Sequence, residues 1–351
     1  MYGLYQIVYF TIIDIINTLR SPFFIAVLCI IYFQYIKIGK IEKEILGYKK
    51  SALLKLIIST IFGIFGGIIT TVIFIYLGVV VIPKDFMYVL IVAIFLSLIN
   101  PRYMCFSYGG GIVSLISLII GYPKIQISQV MSVVAVLHIV ESILIFFDGG
   151  RNRVPVFFET KSQVVGGFNM NRFWPIPFVI FIGDGLIHPI TLMAILSYGD
   201  YSIVSYPRKK VIKTSIILFL YSIILLYISK TIDNLFIPPL FALLGHEYII
   251  LRNKTIENNR SPIFTTSFDK GVKVLEVIPN TIAYKIGMET GDILLKINGV
   301  EVNNNKDLED IMKIQVNRMK VEFFNIKSGL STKKYYGKRK PLGLIIVPRD
   351  F

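Results

Sequence analysis

The sequence predicts an α-helical polytopic membrane domain followed by a small α+β domain. Of its 351 residues, 54% are hydrophobic and 17% charged, and mean hydropathy is +0.67. A soluble domain carries roughly 25% charged residues. The charge is also uneven: 30 of the first 251 residues are charged, against 29 of the last 100. Long uncharged runs recur up to about residue 251 and then stop. The net charge of +15 divides into +8 and +7 across that point. Both parts are therefore basic, which excludes an acidic solvating chain and suits a surface facing anionic lipid. The apolar part is too long for a soluble enzyme with a single anchor.

The elements follow in order. Residues 1–19 carry Asp14 and Asn17 and stop at Arg20-Ser21-Pro22, either a short span or an interfacial helix. With no basic leader and Asp14 inside the first apolar run, no cleavable signal peptide is expected. Residues 22–38 form a span closed by Lys37. From 37 to 55, six lysines face only Glu42 and Glu44, so this loop is expected in the cytoplasm. The uncharged run 56–82 is long enough to cross a bilayer with tilt, and its Gly63, Gly66 and Gly67 suit close helix packing. Shorter spans are expected at 86–99, 103–121 and 130–147. Basic loops then flank 176–198, which contains Pro177, Gly183-Asp184-Gly185 and His188-Pro189. Both loops lie inside only if this segment is broken or re-entrant, an irregularity tolerated where protein covers it. Spans at 214–230 and 235–251 complete a count of six to eight for the domain 1–251. The two cysteines, Cys29 and Cys105, show no metal-ligand spacing, and no cofactor is expected.

A polar linker, 252–262, leads to the last domain, 263–351. Gly271–Val277 alternates apolar and charged residues as a half-buried strand does. The stretch from Pro279 to Val300 then places Ala283, Gly287, Gly291, Asp292, Asn298 and Gly299 at specific spacings. It closely resembles the bacterial PDZ pattern N-S-x-A-x-x-A-G-L-x-x-G-D-x-I-x-x-I-N-G. Residues 305–313 read as the groove helix, with Asn304 as N-cap, Asp307 in the first turn, and Leu308, Ile311 and Met312 on one face. PDZ domains add an extended peptide to a strand edge beside such a helix. The resemblance is to the circularly permuted bacterial type, whose carboxylate-binding Φ-G-Φ loop comes last. That implies a groove at Leu342, Gly343, Leu344 and Ile345, with Lys338, Arg339 or Lys340 supplying charge. The alternative is that 342–347 only closes the core.

Arg20–Phe24, the Lys/Glu-rich stretch to Lys55, Leu137–Ser142 and Phe173-Trp174-Pro175-Ile176-Pro177 resemble the MinJ family, Gram-positive multispanning scaffolds with a C-terminal PDZ domain. The resemblance implies a plasma-membrane adaptor for division-site placement, linking a DivIVA-type scaffold to the Min system. Its expected partners are those proteins and the lipid bilayer, with no nucleic acid; self-association is left open.

Two rival readings involve chemistry. Site-2 proteases also join membrane helices to a PDZ domain, and His246-Glu247 begins like HExxH while Phe147-Asp148-Gly149-Gly150 resembles their carboxylate motif. Zinc needs a second His one helical turn on, and Ile250 stands there. The motif order is also reversed. The reading therefore assigns no catalytic residue and no metal ligand, although His138, His246 and Asp148 could be imagined meeting in space. A transporter would explain the polar pairs His138/Glu141 and Asp184/His188 within apolar segments, but no inverted repeat is visible.

Overall fold

The computed structural model describes residues 4–79, 82–159, 164–184, 186–265, 270–313, 317–338 and 340–348. Helix α1 (Leu4–Leu19) gives way to α2 (Pro22–Leu46) at Ser21, whose hydroxyl accepts from the Phe24 N–H at 3.1 Å. Pro22 occupies the first helical position, where no N–H is needed. Helix α3 (Ala52–Leu77) follows five residues after α2 ends and is capped by Ser51. The lysine-rich stretch expected as a loop is therefore mostly helix. Glu42 and Lys55 do not face water there: both are buried, and they pair at 2.7 Å.

Helix α4 (Pro83–Ile99) and α5 (Phe106–Ile120) form a hairpin, turning through a short 3₁₀ segment at Pro101–Met104. Helix α6 (Ile127–Asp148) runs through the centre of the body and is buried on nearly all sides from Val130 to Val140. Strands β1 (Arg153–Glu159), β2 (Val164–Asp184) and β3 (Leu186–Ser202) come next, then α7 (Pro207–Thr231) and α8 (Ile237–Asn259). The linker expected at 252–262 is thus helical as far as Asn259. Among the described residues, α2, α3, α6 and α7 are long and apolar enough to cross a membrane. Helix α3 leaves Ile57, Ile61, Phe65, Ile68 and Val72 between 48% and 60% exposed. An apolar stripe of that extent belongs against lipid rather than water.

The segment 176–198 turns back on itself, but as paired strands and not as a broken helix. Strands β2 and β3 are antiparallel from Phe168↔Ser202 to Asp184↔Leu186. Strand β1 pairs with β2 only up to Met170, so beyond that point one edge of β2 has no strand partner among the described residues. An uncovered edge within a membrane body leaves polar backbone groups unsatisfied. Here α2 and α3 close it, residue by residue. The Phe173 N–H donates to the Tyr35 hydroxyl at 3.3 Å, and the Val179 N–H to Thr71 Oγ1 at 2.9 Å. Between them, Pro175 and Pro177 have no N–H to satisfy. Their carbonyls abut α3 at Gly63 and Gly67, where an added Cβ would lie 2.0 Å and 1.9 Å from the respective oxygen. Four residues of helix and two of strand advance by nearly the same length. Gly63, Gly67 and Thr71 therefore stay in step with Pro175, Pro177 and Val179.

The C-terminal sheet has the order β8-β7-β5-β4-β9, with β6 paired to β5. Its strands are β4 (Val272–Val277), β5 (Ile293–Ile297), β6 (Val300–Glu301), β7 (Arg318–Asn325), β8 (Gly329–Tyr336) and β9 (Leu344–Ile346). Helices α9 (Ile282–Lys285) and α10 (Asn305–Lys313) interrupt them. Asn298 and Gly299 turn β5 into β6 with φ of 50° and 85°, the left-handed pair a two-residue hairpin requires. One core gathers Val274, Ile282, Leu294, Val321 and Ile346. A second, formed by Leu275, Ile345 and Val347 with Leu46, Phe168 and Phe264, seats the sheet on the membrane body. Arg153 and Glu276 pair at 3.2 Å beside this seam.

Candidate functional site

Strand β9 lies at one end of the sheet, and among the described residues its strand partner is β4, on one side. Leu342 is buried, and Leu344 packs on the same core as Leu308 and Ile311 of α10. Helix α10 is fixed at its start by Asn304, whose Oδ1 accepts from the Asp307 N–H at 2.8 Å, while Asp307 Oδ2 accepts from the Asn303 N–H at 2.8 Å. The first bond satisfies a donor that the first helical turn leaves open, and the second ties Asp307 back to the residue before the cap.

The loop before β9 is anchored by its carbonyls. Pro341, Leu342 and Gly343 accept from the N–H groups of Ile282, Ala283 and Ile278 at 3.1, 3.0 and 2.8 Å. Gly343 has a φ of 73°, and a Cβ there would meet Thr281 at 2.2 Å. No other residue fits this position. Lys338 is exposed, and Lys340 Nζ donates to the Asn280 carbonyl at 3.2 Å. Arg339 and the side chain of Met312 lie outside the described residues.

Ile345 faces away from the α10 side. Alternation along β9 sends Leu344 and Ile346 into the domain core and Ile345 into the seam with the membrane body. Of the signature residues, Gly287 and Gly291 turn at positive φ, and Gly291 also abuts the Tyr206 hydroxyl at the foot of α7. Asp292 accepts from the Glu289 N–H and from the Asn325 amide at 2.9 and 2.7 Å. Burial pushes its carboxyl above the usual range, against the pull of those two bonds.

Within the membrane body, the polar residues do not group as their spacing suggests. His138 and Glu141 approach at 3.8 Å. Yet His138 Nε2 lies nearer to Cys105 Sγ at 3.1 Å and Ser107 Oγ at 3.2 Å. His246 Nε2 reaches the same sulfur at 3.5 Å. Cys105, His138 and His246 thus form a cluster whose ligand atoms lie within 4.8 Å of one another. Asp148 does not join them. It is buried, accepting from Arg172 Nε at 2.6 Å and Trp174 Nε1 at 2.8 Å, with a further bond from Arg172 Nη2. Glu247 is occupied by Arg102 at 2.7 Å and by the Tyr108 hydroxyl. The side chains of Asp184 and His188 lie outside the described ones; their backbones sit at the far end of the β2–β3 hairpin.

Cys105 is the residue that sequence reasoning missed. It lies 33 and 141 residues from its two neighbours, so no local spacing marks it. The available signal was chemical: His138, His246 and Cys105, two of the chain's three histidines and one of its two cysteines, lie in or beside apolar segments.

Comparison with known proteins agrees with this anatomy. The chain is 28% identical over 112 residues to the cell division topological determinant MinJ of Bacillus subtilis (strain 168). That match covers 31% of this chain and 28% of that protein. The PDZ domain family matches residues 273–321, from β4 into β7. The chain is a membrane protein that carries a PDZ domain, a module for protein interaction, behind its helical membrane part.

Proposed function

We propose that the chain is a non-enzymatic membrane adaptor whose PDZ groove, between the outer edge of β9 and α10, captures an extended segment of a protein partner. The observation that carries this reading is the end position of β9, a strand edge whose Leu344 packs on the same core as Leu308 and Ile311 of the amphipathic α10. The likeness to MinJ supports a division role: placing division-site regulators, with a DivIVA-type scaffold on one side and Min-type proteins on the other. The exposed lysines at the end of α2 and just beyond it, Lys37, Lys40, Lys43, Lys49 and Lys50, support a cytoplasmic position for the PDZ domain. A partner with a free C-terminus would present its carboxylate to the N–H groups of Leu342–Leu344, beside Lys338 and Lys340.

Gly343 is a poor probe of this groove because any side chain there collides with Thr281. Ile311 is the better one. Ile311→Glu places a charge on the groove wall and is expected to weaken capture of partner peptide at least about tenfold, roughly 1.4 kcal/mol, while the domain stays folded. Lys340→Glu should weaken only ligands that end in a free carboxylate. In cells, a fluorescent fusion should gather at septa or poles, and the Ile311→Glu fusion should spread evenly over the membrane. Normal septal enrichment of a folded Ile311→Glu protein would sink the groove assignment, and an even wild-type signal with normal division in a deletion strain would sink the division role.

A further inference from the structure

We propose that Cys105, His138 and His246 form a binding site for a zinc-class transition metal ion, independent of the peptide groove. The three ligands come from three elements: the N-cap of α5, the middle of α6 and the middle of α8. A thiol with two imidazoles is the donor set that zinc takes, with Zn–S near 2.3 Å and Zn–N of about 2.0–2.1 Å. Tetrahedral ligation at those lengths separates sulfur from nitrogen by about 3.5 Å. The observed separation to His246 Nε2, 3.5 Å, matches that edge, and that to His138 Nε2, 3.1 Å, needs to open by only about 0.4 Å.

The surroundings orient the ligands as a metal requires. His138 Nδ1 lies 2.8 Å from the Val134 carbonyl one turn earlier. A carbonyl only accepts, so Nδ1 carries the proton and Nε2 presents its lone pair toward Cys105. Such an outer bond to a carbonyl is the usual support of a metal-bound imidazole. The Cys105 sulfur accepts from the Ser107 N–H at 3.5 Å, at the start of a helix where negative charge is favoured. A thiol has one proton, and it can serve only one of the two Nε2 atoms that converge on it. His246 Nδ1 is buried with no partner among the described residues, so hydrogen bonding within them leaves this ring incompletely satisfied whichever nitrogen holds the proton. One cation would engage the sulfur and both Nε2 atoms together. Cys105 and His246 are only partly buried, which leaves an approach for the ion and a fourth position for water or, after a small shift, Glu141.

The bound ion would tie the tip of the α4–α5 hairpin to α6 and to α8, the helix that leads directly into the PDZ domain. The test uses the purified full-length chain in detergent. Elemental analysis should find about one zinc per chain, removable by chelator. Cobalt(II) added to the stripped protein should give a thiolate-to-metal charge-transfer band. Cys105→Ser should abolish the band and weaken zinc binding by more than about 100-fold, beyond the effect of losing an outer partner; Cys29→Ser should change neither. If Cys105→Ser misfolds, the Cys29→Ser protein serves alone: zinc should slow alkylation of Cys105 at least tenfold, and chelator should restore the rate. A folded protein with no retained zinc, no cobalt band and no protection of Cys105 would overturn the site. So would binding that persists in a folded Cys105→Ser protein, and retention of copper alone would overturn the zinc assignment.

Discussion

Replacing Arg172 with methionine is expected to destabilise the folded chain by about 3–5 kcal/mol, the usual effect of removing one partner from a buried ion pair. Both Arg172 and Asp148 are wholly buried. The guanidinium does three things at once: it binds Asp148 through Nε and Nη2, reaches the Tyr35 hydroxyl at 3.3 Å, and lies over the Tyr35 ring. Without it, Asp148 keeps Trp174 and the surface residue Arg151, at 3.0 Å, but loses its paired donors. The loss should appear as a lower thermal midpoint in detergent and reduced yield of folded protein. The double variant Arg172→Met with Asp148→Leu should recover a large part of it, since an apolar pair of similar volume often matches a buried ion pair. Equal instability of the single and double variants would show that the charge left behind is not the cause.

The second large effect is expected at Gly67. An alanine Cβ there would lie 1.9 Å from the Pro177 carbonyl oxygen and 2.9 Å from its carbon. The obstacle is backbone, so no rotamer change relieves it. Strand β2 must move away from α3, which also strains the bond from the Val179 N–H to Thr71. Gly67→Ala is expected to reach or exceed the upper end of the roughly 1–3 kcal/mol typical of overpacking. Gly39 of α2 supplies the control. Among the described residues a Cβ there meets Lys49 atoms at 3.9 Å and nothing nearer, so Gly39→Ala should be neutral or stabilising by up to about 1 kcal/mol. Matching melting curves for the two variants would refute the close helix–strand contact.

The PDZ domain was legible in the sequence because its fold depends on local turns. Asn298-Gly299 and the spacing of Gly287, Gly291 and Asp292 sit close together along the chain and carry their geometry with them. The membrane body was legible only in outline. Pro175 and Pro177 argue against a helix, but their use, removing donors from an edge that α3 covers, depends on glycines more than a hundred residues earlier. Glu42 and Lys55 read as solvated loop charges because hydropathy cannot register that two buried ends of adjacent helices neutralise each other. The His138–Glu141 spacing directed attention to one helix face, whereas the nearer partner of His138 comes from another helix altogether. On β9, the motif located the strand correctly but not the side to which Ile345 turns, which depends on what the sheet's outer face packs against.

The seam of Leu46, Phe168, Phe264, Leu275, Ile345 and Val347 gives the PDZ domain a fixed stance on the membrane body. A receptor on a loose tether sweeps a volume; one on such a seat samples a thin shell at a single height. For a partner that is itself confined to the membrane surface, capture then becomes a question of reach. The length of chain between the partner's own anchor and its peptide would set the local concentration at the groove. Segments too short to span the gap would not engage, and overlong ones would be diluted. If the proposed groove captures such a partner, the hydrophobic seat would act as a ruler, selecting by geometry before any side chain is read.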